Sequence, residues 1–328
     1  MLFRSGHVTL IEGDDLRSGA TAILPHGGNP YQEKVPAGFV VGNGYGKFAG
    51  ATQIIALGEI ETPIVLTSTL AVPRAAEALI TWTLAQPGNE SVRSVNPVVG
   101  ETNDGLLNNS RQRALTVEHV LHAIDSAQTG PVVEGCIGAG TGTICFGWKG
   151  GIGTSSRRLP ESLGGYTVGA LAQTNFGGIL QIDGIPVGKL LGQYSLKDKL
   201  ASHTDDGSVI ILLATDAPLS DRNLTRLARR GLFGLARTGA SFSDGSGDYA
   251  LAFSSAESVR RTPQRRSQVS AYPELPNDEA SPLFLAAIEA TEEAIYNALT
   301  MATDMTGYQG RAVKALPLDK LRELAARR

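Results

Sequence analysis

The chain is predicted to be an α/β protein whose sheet layers are covered by helices. Two observations carry the prediction. Short apolar runs punctuated by glycine and proline fill the first two thirds of the sequence, and longer patterns of helical period dominate the last third. A third observation sets the scale. A chain of 328 residues, 42% hydrophobic and 19% charged, has ordinary globular composition and can bury about three quarters of its unfolded surface. No linker divides it and no repeat of roughly 20 to 50 residues recurs, so a single domain over 1–328 is expected.

Taken in order, residues 21–24, 39–42, 64–67, 79–84, 95–99, 166–172 and 209–214 read as strands, several of them buried on both faces. Residues 117–126 read as a helix. Residues 221–237 place Leu224, Leu227, Ala228, Gly231, Leu232 and Leu235 on one helical face, with Ser220 as N-cap. A second long helix is expected over 282–303, with Phe284, Ile288, Ile295 and Leu299 on one stripe. Ser281 and Pro282 suit its start, and Gly307 lies past its end. The polar stretch 260–277 reads as an exposed loop whose four arginines are either solvated or an anion site.

Composition excludes several functions. A net charge of −3 gives no reason to expect nucleic acid or an anionic membrane as partner. Nothing approaches the roughly 18 consecutive apolar residues of a membrane span. The opening residues lack the apolar stretch of a secretion signal, so a cytoplasmic protein is expected. Cys136 and Cys145 are too few for a disulfide framework, and both are expected to stay reduced. Glycine stands out, with 39 residues, ~12% of the chain against a usual ~7%.

Gly138, Gly140 and Gly142 in the densest glycine segment (135–157) alternate, but no glycine follows Gly140 by three residues, as a dinucleotide fingerprint requires. Lys149 is followed by glycine, so a P-loop is absent too. Backbone crowding in a tight core or beside a ligand explains the segment better. Among His7, His26, His119, His122 and His203, only His119 and His122 stand close on one helix face, and nothing nearby completes a metal set. No metal and no cofactor are expected. At Asp206-Gly207-Ser208 a polar loop meets an apolar strand. One reading is a loop-to-strand junction with a turn glycine. The other is a self-cleaving junction, in which the Ser208 hydroxyl attacks the preceding carbonyl and leaves a serine whose free α-amine, of pKa ~7.7–8.0, serves as base.

Stretches throughout the chain bear on this choice: Leu24-Pro-His-Gly-Gly-Asn-Pro30, Asn43-Gly-Tyr-Gly-Lys47, Glu61-Thr-Pro63, Asn96-Pro-Val-Val-Gly-Glu-Thr-Asn-Asp-Gly105, Lys149-Gly-Gly-Ile-Gly-Thr-Ser-Ser-Arg157, Asn175-Phe-Gly177 and Asp206-Gly-Ser208 through Pro218. In them the chain resembles the L-aminopeptidase/D-alanyl esterase-amidase enzymes, which include the β-peptidyl aminopeptidases. The resemblance runs from about Gly6 to the last helix.

It implies a four-layer αββα sandwich like that of N-terminal-nucleophile hydrolases, with different connectivity. It also implies a precursor that cuts itself between Gly207 and Ser208 into an α chain (1–207) and a β chain (208–328). Ser208 would be the nucleophile, Asn175 the oxyanion-stabilising amide, and Ser246 and Asp248 the polar groups serving the α-amine and the Ser208 hydroxyl. By spacing alone, Ser243-Asp-Gly-Ser-Gly-Asp248 reads as an ordinary turn. Here aspartate stands where the family often has glutamate. Glu101, Asn103 and Asp104 map to a loop lining the substrate site, with Glu101 the preferred anchor for the substrate amine. Leu106 replaces a tyrosine of some members, and Trp148 is either a pocket wall or a core residue.

The function implied is a metal-independent serine aminopeptidase or amidase acting on short peptides and on amino-acid amides or esters, assembled as a homotetramer of processed protomers. Two alternatives are an ornithine-acetyltransferase-like acyl transferase, against which Ser208 in place of threonine argues, and a non-catalytic small-molecule-binding scaffold of the same fold.

Overall fold

The computed structural model describes residues 2–197 and 207–326. In chain order its strands are β1 (Arg4–Glu12), β2 (Leu16–Leu24), β3 (Val35–Gly44), β4 (Phe48–Ala49), β5 (Glu59–Ile60), β6 (Ile64–Ser68), β7 (Val98–Thr102), β8 (Ile144–Cys145), β9 (Trp148–Lys149), β10 (Ile152–Arg158), β11 (Thr167–Asn175), β12 (Ser208–Thr215), β13 (Gly247–Ser254), β14 (Met305–Thr306) and β15 (Ala312–Val313). The helices are α1 (Ala51–Leu57), α2 (Val72–Leu84), α3 (Val117–Asp125), the single turn α4 (Val187–Leu190), α5 (Asp221–Arg237), the single turn α6 (Pro263–Arg266), α7 (Ser281–Thr300) and α8 (Leu318–Ala326).

Two sheets lie face to face. One runs β1-β2-β6-β7-β4 and the other β10-β11-β12-β13-β3-β5. Ile23, Ile64, Leu66 and Val98 of the first sheet share a core with Ile210, Leu212, Leu251 and Phe253 of the second. The opposite face of the second sheet, with Ile211, Leu213 and Ala250, packs on Leu224 and Leu227 of α5 and on Ala287 and Ile295 of α7. The first sheet is covered likewise, Val65 and Val99 meeting Ala75 and Leu79 of α2 and Val120 and Ile124 of α3. The layers are therefore α-β-β-α. This arrangement explains why all eight residues of β12 are buried: alternate side chains enter two different cores, so both faces must be apolar.

Part of the glycine excess lets layers approach. A Cβ on Gly153 of β10 would stand 1.9 Å from the Ala294 carbonyl oxygen in α7, and one on Gly38 of β3 would stand 2.1 Å from the Thr225 nitrogen in α5. Helix backbone rests directly on strand backbone at both places.

Several sequence expectations need correction. Residues 79–84 are not a strand but the end of α2. Pro73 opens that helix, and Ala75, Ala78 and Leu79 face the sheet at helical spacing, with exposed Ile80 and Leu84 making the run look uniformly apolar. The strand expected at 95–99 is β7, which starts only at Val98. The helix at 221–237 has the bounds read from sequence, but Ser220 makes no side-chain cap bond, its hydroxyl donating to Glu274 instead. The last long helix begins with Ala280 as N-cap and ends at Thr300. In the 260–277 loop, Arg265 donates to the carbonyls of Glu257, Ser258 and Arg260, so its guanidinium braces the chain. His119 caps its own helix, its Nδ1 accepting from the Thr116 N–H at 3.2 Å.

Candidate active site

Three strand ends of the six-stranded sheet converge. Ser208 is the first residue of β12, Asn175 the last of β11 and Gly247 the first of β13, and Ser208 is in register with both neighbours. The Ser208 hydroxyl donates to the carbonyl oxygen of Gly207 at 2.5 Å, the carbonyl it would attack. The Gly247 N–H reaches that same oxygen at 3.2 Å and the Ser208 Oγ at 3.4 Å. A backbone donor is thus in place where negative charge would develop.

Asn175 stands on the other side. Its Oδ1 accepts from the Ile144 N–H at 2.9 Å. A backbone N–H can bond only the amide oxygen, so the carboxamide orientation is determined and its NH₂ is left to donate. Asn175 lines a cavity of about 540 Å³ together with Asn103, Leu106, Phe146, Phe176 and Tyr194. Ser208 itself is 6% exposed and is not one of the residues lining that cavity, to which its strand neighbour Asn175 connects it.

Ser246 and Asp248 flank Gly247. The Ser246 hydroxyl donates to Asp248 Oδ1 at 2.7 Å, and both residues are 1% exposed. Asp248 Oδ2 is buried and finds no partner among the described residues. Burial pushes the carboxyl up to about 6, against the opposing effect of the Ser246 hydroxyl. Neither side chain holds the Ser208 hydroxyl, which is engaged by Gly207 and Gly247 instead. Sequence reasoning gave no role to Asn43, at the end of β3. Its Nδ2 donates to the carbonyls of Ser243, Asp244 and Ser246, tying the turn that presents Ser246. The Asn43-Gly-Tyr-Gly-Lys47 stretch was its only signal.

The substrate-loop residues divide. Asn103 and Leu106 line the cavity. Asp104 turns inward, 3% exposed, accepting from the hydroxyls of Ser18 at 2.6 Å and Ser68 at 2.8 Å and from Asn108 Nδ2 at 3.0 Å. Burial raises its pKa, and its carboxylate serves to shape the loop. Glu101 is 4% exposed, its Oε1 bound by the Lys47 N–H and Nζ, both at 3.1 Å. Trp148 is 4% exposed in the core around α5 and α7, while its neighbours Phe146 and Gly147 face the cavity. Asp206 and His203 lie outside the described residues. Among those described, no three His, Cys, Asp or Glu are grouped to hold a metal ion.

The model of Peptidase family S58 matches residues 3–313. The chain belongs to this family. Its relatives include the β-peptidyl aminopeptidase BapA of Sphingosinicella microcystinivorans, 37% identical over 97% of this chain and 84% of that protein. Among solved structures, a Burkholderia β-aminopeptidase is 38% identical with a TM-score of 0.89, covering 99% of this chain and 91% of the other. The L-aminopeptidase D-Ala-esterase/amidase of Ochrobactrum anthropi, described as a variant of the Ntn-hydrolase fold, is 35% identical with a TM-score of 0.90, covering 100% and 92%. This S58 chain shares that fold variant. It is a hydrolase, a serine aminopeptidase/amidase, and the acyltransferase alternative is set aside. No described helix is long and apolar enough to cross a membrane.

Proposed function

We propose that the chain activates itself by cutting its backbone between Gly207 and Ser208, and that Ser208 then removes N-terminal residues from short peptides and from amino-acid amides or esters. The observation that carries this reading is the contact of the Ser208 hydroxyl with the Gly207 carbonyl, with the Gly247 N–H on the same oxygen. Attack of Oγ on the Gly207 carbonyl carbon gives a tetrahedral adduct. Collapse breaks the C–N bond, the nitrogen takes a proton, and the Gly207 acyl group rests on Oγ as an ester. Water hydrolyses the ester, leaving a Gly207 carboxylate and a Ser208 α-amine.

The free amine then serves as the base for its own hydroxyl, having a pKa of ~7.7–8.0 in model compounds, near neutral pH. The unpartnered Asp248 Oδ2 supports a site prepared for the cation this amine becomes. In the hydrolytic cycle Ser208 takes the substrate acyl group, the Asn175 NH₂ holds the oxyanion, and the leaving amine departs protonated. Glu101 is our anchor for the substrate amine, beside Lys47, and Asn103 and Leu106 border the substrate. The names of the relatives support L-aminoacyl and β-aminoacyl substrates. A homotetramer of processed protomers acting in the cytoplasm completes the proposal.

A denaturing gel tests it. Wild-type protein should give two fragments, 1–207 and 208–328, each of them required for hydrolysis of an aminoacyl p-nitroanilide. Ser208→Ala should stay full length and inactive; persistence of both fragments in that variant removes Ser208 as nucleophile.

A further inference from the structure

Lys149 heads the fully buried side chains by size, 0% exposed, and it forms no ion pair among the described residues. Its Nζ donates to two carbonyl oxygens, of Gly150 at 2.7 Å and Gly140 at 3.0 Å. Burial pulls its pKa down to about 8, partly opposed by Cys136, Cys145 and Asp104. Burying a cation with only neutral acceptors costs stability that an apolar side chain would not. Its placement therefore calls for a reason other than packing.

The place it holds gives that reason. β8 and β9 are two residues each, too short to define their own geometry. Lys149 is in register with Ile144 across this hairpin, and the Ile144 N–H is the donor that orients the Asn175 carboxamide. The carbonyls gripped by Nζ lie at either side of the hairpin, Gly150 just after β9 and Gly140 in the tight turn 138–140. The Thr143 hydroxyl bonds the same Gly140 carbonyl at 3.0 Å, and the Gly150 N–H bonds the Thr143 carbonyl at 3.0 Å. Backbone bonds from the Phe146 N–H to the Phe176 carbonyl at 2.7 Å and from the Lys149 N–H to the Lys314 carbonyl at 2.8 Å hold the hairpin to its neighbours, and the ammonium ties its base to the turn 138–140. The segment it carries includes Ile144, Phe146 and Gly147, three cavity-lining residues.

We infer that Lys149 is a positioning residue for Asn175, its buried ammonium clamping the β8–β9 hairpin so that the Ile144 N–H aims the Asn175 amide at the developing oxyanion. The inference rests on the role proposed above for Asn175 and Ser208. It separates Lys149 from an ordinary core residue, whose loss would lower stability and leave turnover per folded molecule intact.

A double-mutant cycle tests it. Lys149→Met, Asn175→Ala and the pair are prepared, and kcat and KM on one aminoacyl p-nitroanilide are measured per processed chain, beside Tm. For Lys149→Met, kcat should fall about 10- to 100-fold, the range expected when a catalytic group is displaced by up to an ångström, while KM and Tm stay near wild type. In the Asn175→Ala background the same change should cost no more than about twofold, since linked residues are non-additive. An undiminished kcat in Lys149→Met, or an equal loss with and without Asn175, overturns the inference. Lys149→Gln, which keeps an N–H donor for one carbonyl, should retain intermediate kcat and takes the place of Met if that variant does not fold. Failure of both to fold makes Lys149 a folding residue and likewise overturns the inference. A Ser208→Ala chain that still hydrolyses would defeat the underlying reading, whereas inactive Ser208→Ala beside fully active Lys149→Met defeats only the role of Lys149.

Discussion

Asp248 is a buried carboxyl with one oxygen unpartnered among the described residues, and the energetic consequence of that burial can be measured. Its pKa is lifted from 3.8 to about 6 by burial, a shift of about two units, equivalent to roughly 3 kcal/mol at ~1.36 kcal/mol per unit. The sign follows from linkage. Below the unfolded value both states hold the proton and nothing is lost. As pH rises from about 4 through about 6, the unfolded chain releases the proton first, so native stability falls, and above the folded value the whole penalty is present. The perturbation is Asp248→Asn in a Ser208→Ala chain, where no cleavage intervenes. Asparagine keeps the acceptor for the Ser246 hydroxyl and is uncharged at every pH. It leaves a buried NH₂ unsatisfied at a cost of ~1–3 kcal/mol, but that cost does not vary with pH.

The assay is urea unfolding of the two chains followed by the fluorescence of Trp82 and Trp148, at pH 4 and pH 8. The stability difference should move in favour of the asparagine chain by roughly 2 kcal/mol between the two pH values, since part of the penalty is already present at pH 4. In the processed enzyme, where an α-ammonium would sit beside the carboxylate, the same substitution should instead destabilise and abolish turnover. A difference between the uncut chains that does not change with pH would refute the reasoning, because it would mean that Asp248 is already compensated before cleavage.

Asn175→Ala should reduce kcat of processed protein by ~10²–10³, the usual loss of one oxyanion donor; a change of KM alone would contradict this assignment. Gly153→Ala should destabilise the fold by about 1–3 kcal/mol or more, since the new methyl meets the Ala294 carbonyl at 1.9 Å and α7 must move outward. Thermal unfolding of a Ser208→Ala chain with and without the substitution reads this directly, and an unchanged Tm would mean that the helix rests less firmly on β10 than the structure shows.

The layered α/β plan was legible because its signals are local. The stripe Leu224-Leu227-Ala228-Gly231-Leu235 has helical period, and the run beginning at Val209 is apolar at every position because it faces two cores. What failed was local information with two meanings. Residues 79–84 are short and apolar like a buried strand, and only Pro73 upstream and the spacing of Ala75, Ala78 and Leu79 mark them as helix. β13 went unnoticed because small residues, Ala250 and Ala252, face α5 and α7, so it carries no dense apolar run.

The site was legible only through resemblance, for a physical reason. Its parts come from three strand ends far apart in sequence, and each is locally ordinary: Asp206-Gly-Ser208 as a turn entering a strand, Asn175 as a strand end, Ser243–Asp248 as another turn. Their chemistry comes from register, which sets Ser208 between Asn175 and Gly247. Register is a long-range property, set by how β11, β12 and β13 bury alternate residues, and a one-residue slip would turn every side chain to the other face. Asp104 shows the converse. Its carboxylate was conspicuous in the substrate-loop motif, yet three donors from different elements draw it into the interior. An acidic residue beside a cavity can bind a ligand only through an oxygen the fold leaves free. Asp104 keeps none for the cavity, whereas Asp248 Oδ2 is buried without a partner among the described residues, one residue beyond Gly247, the register partner of the proposed nucleophile.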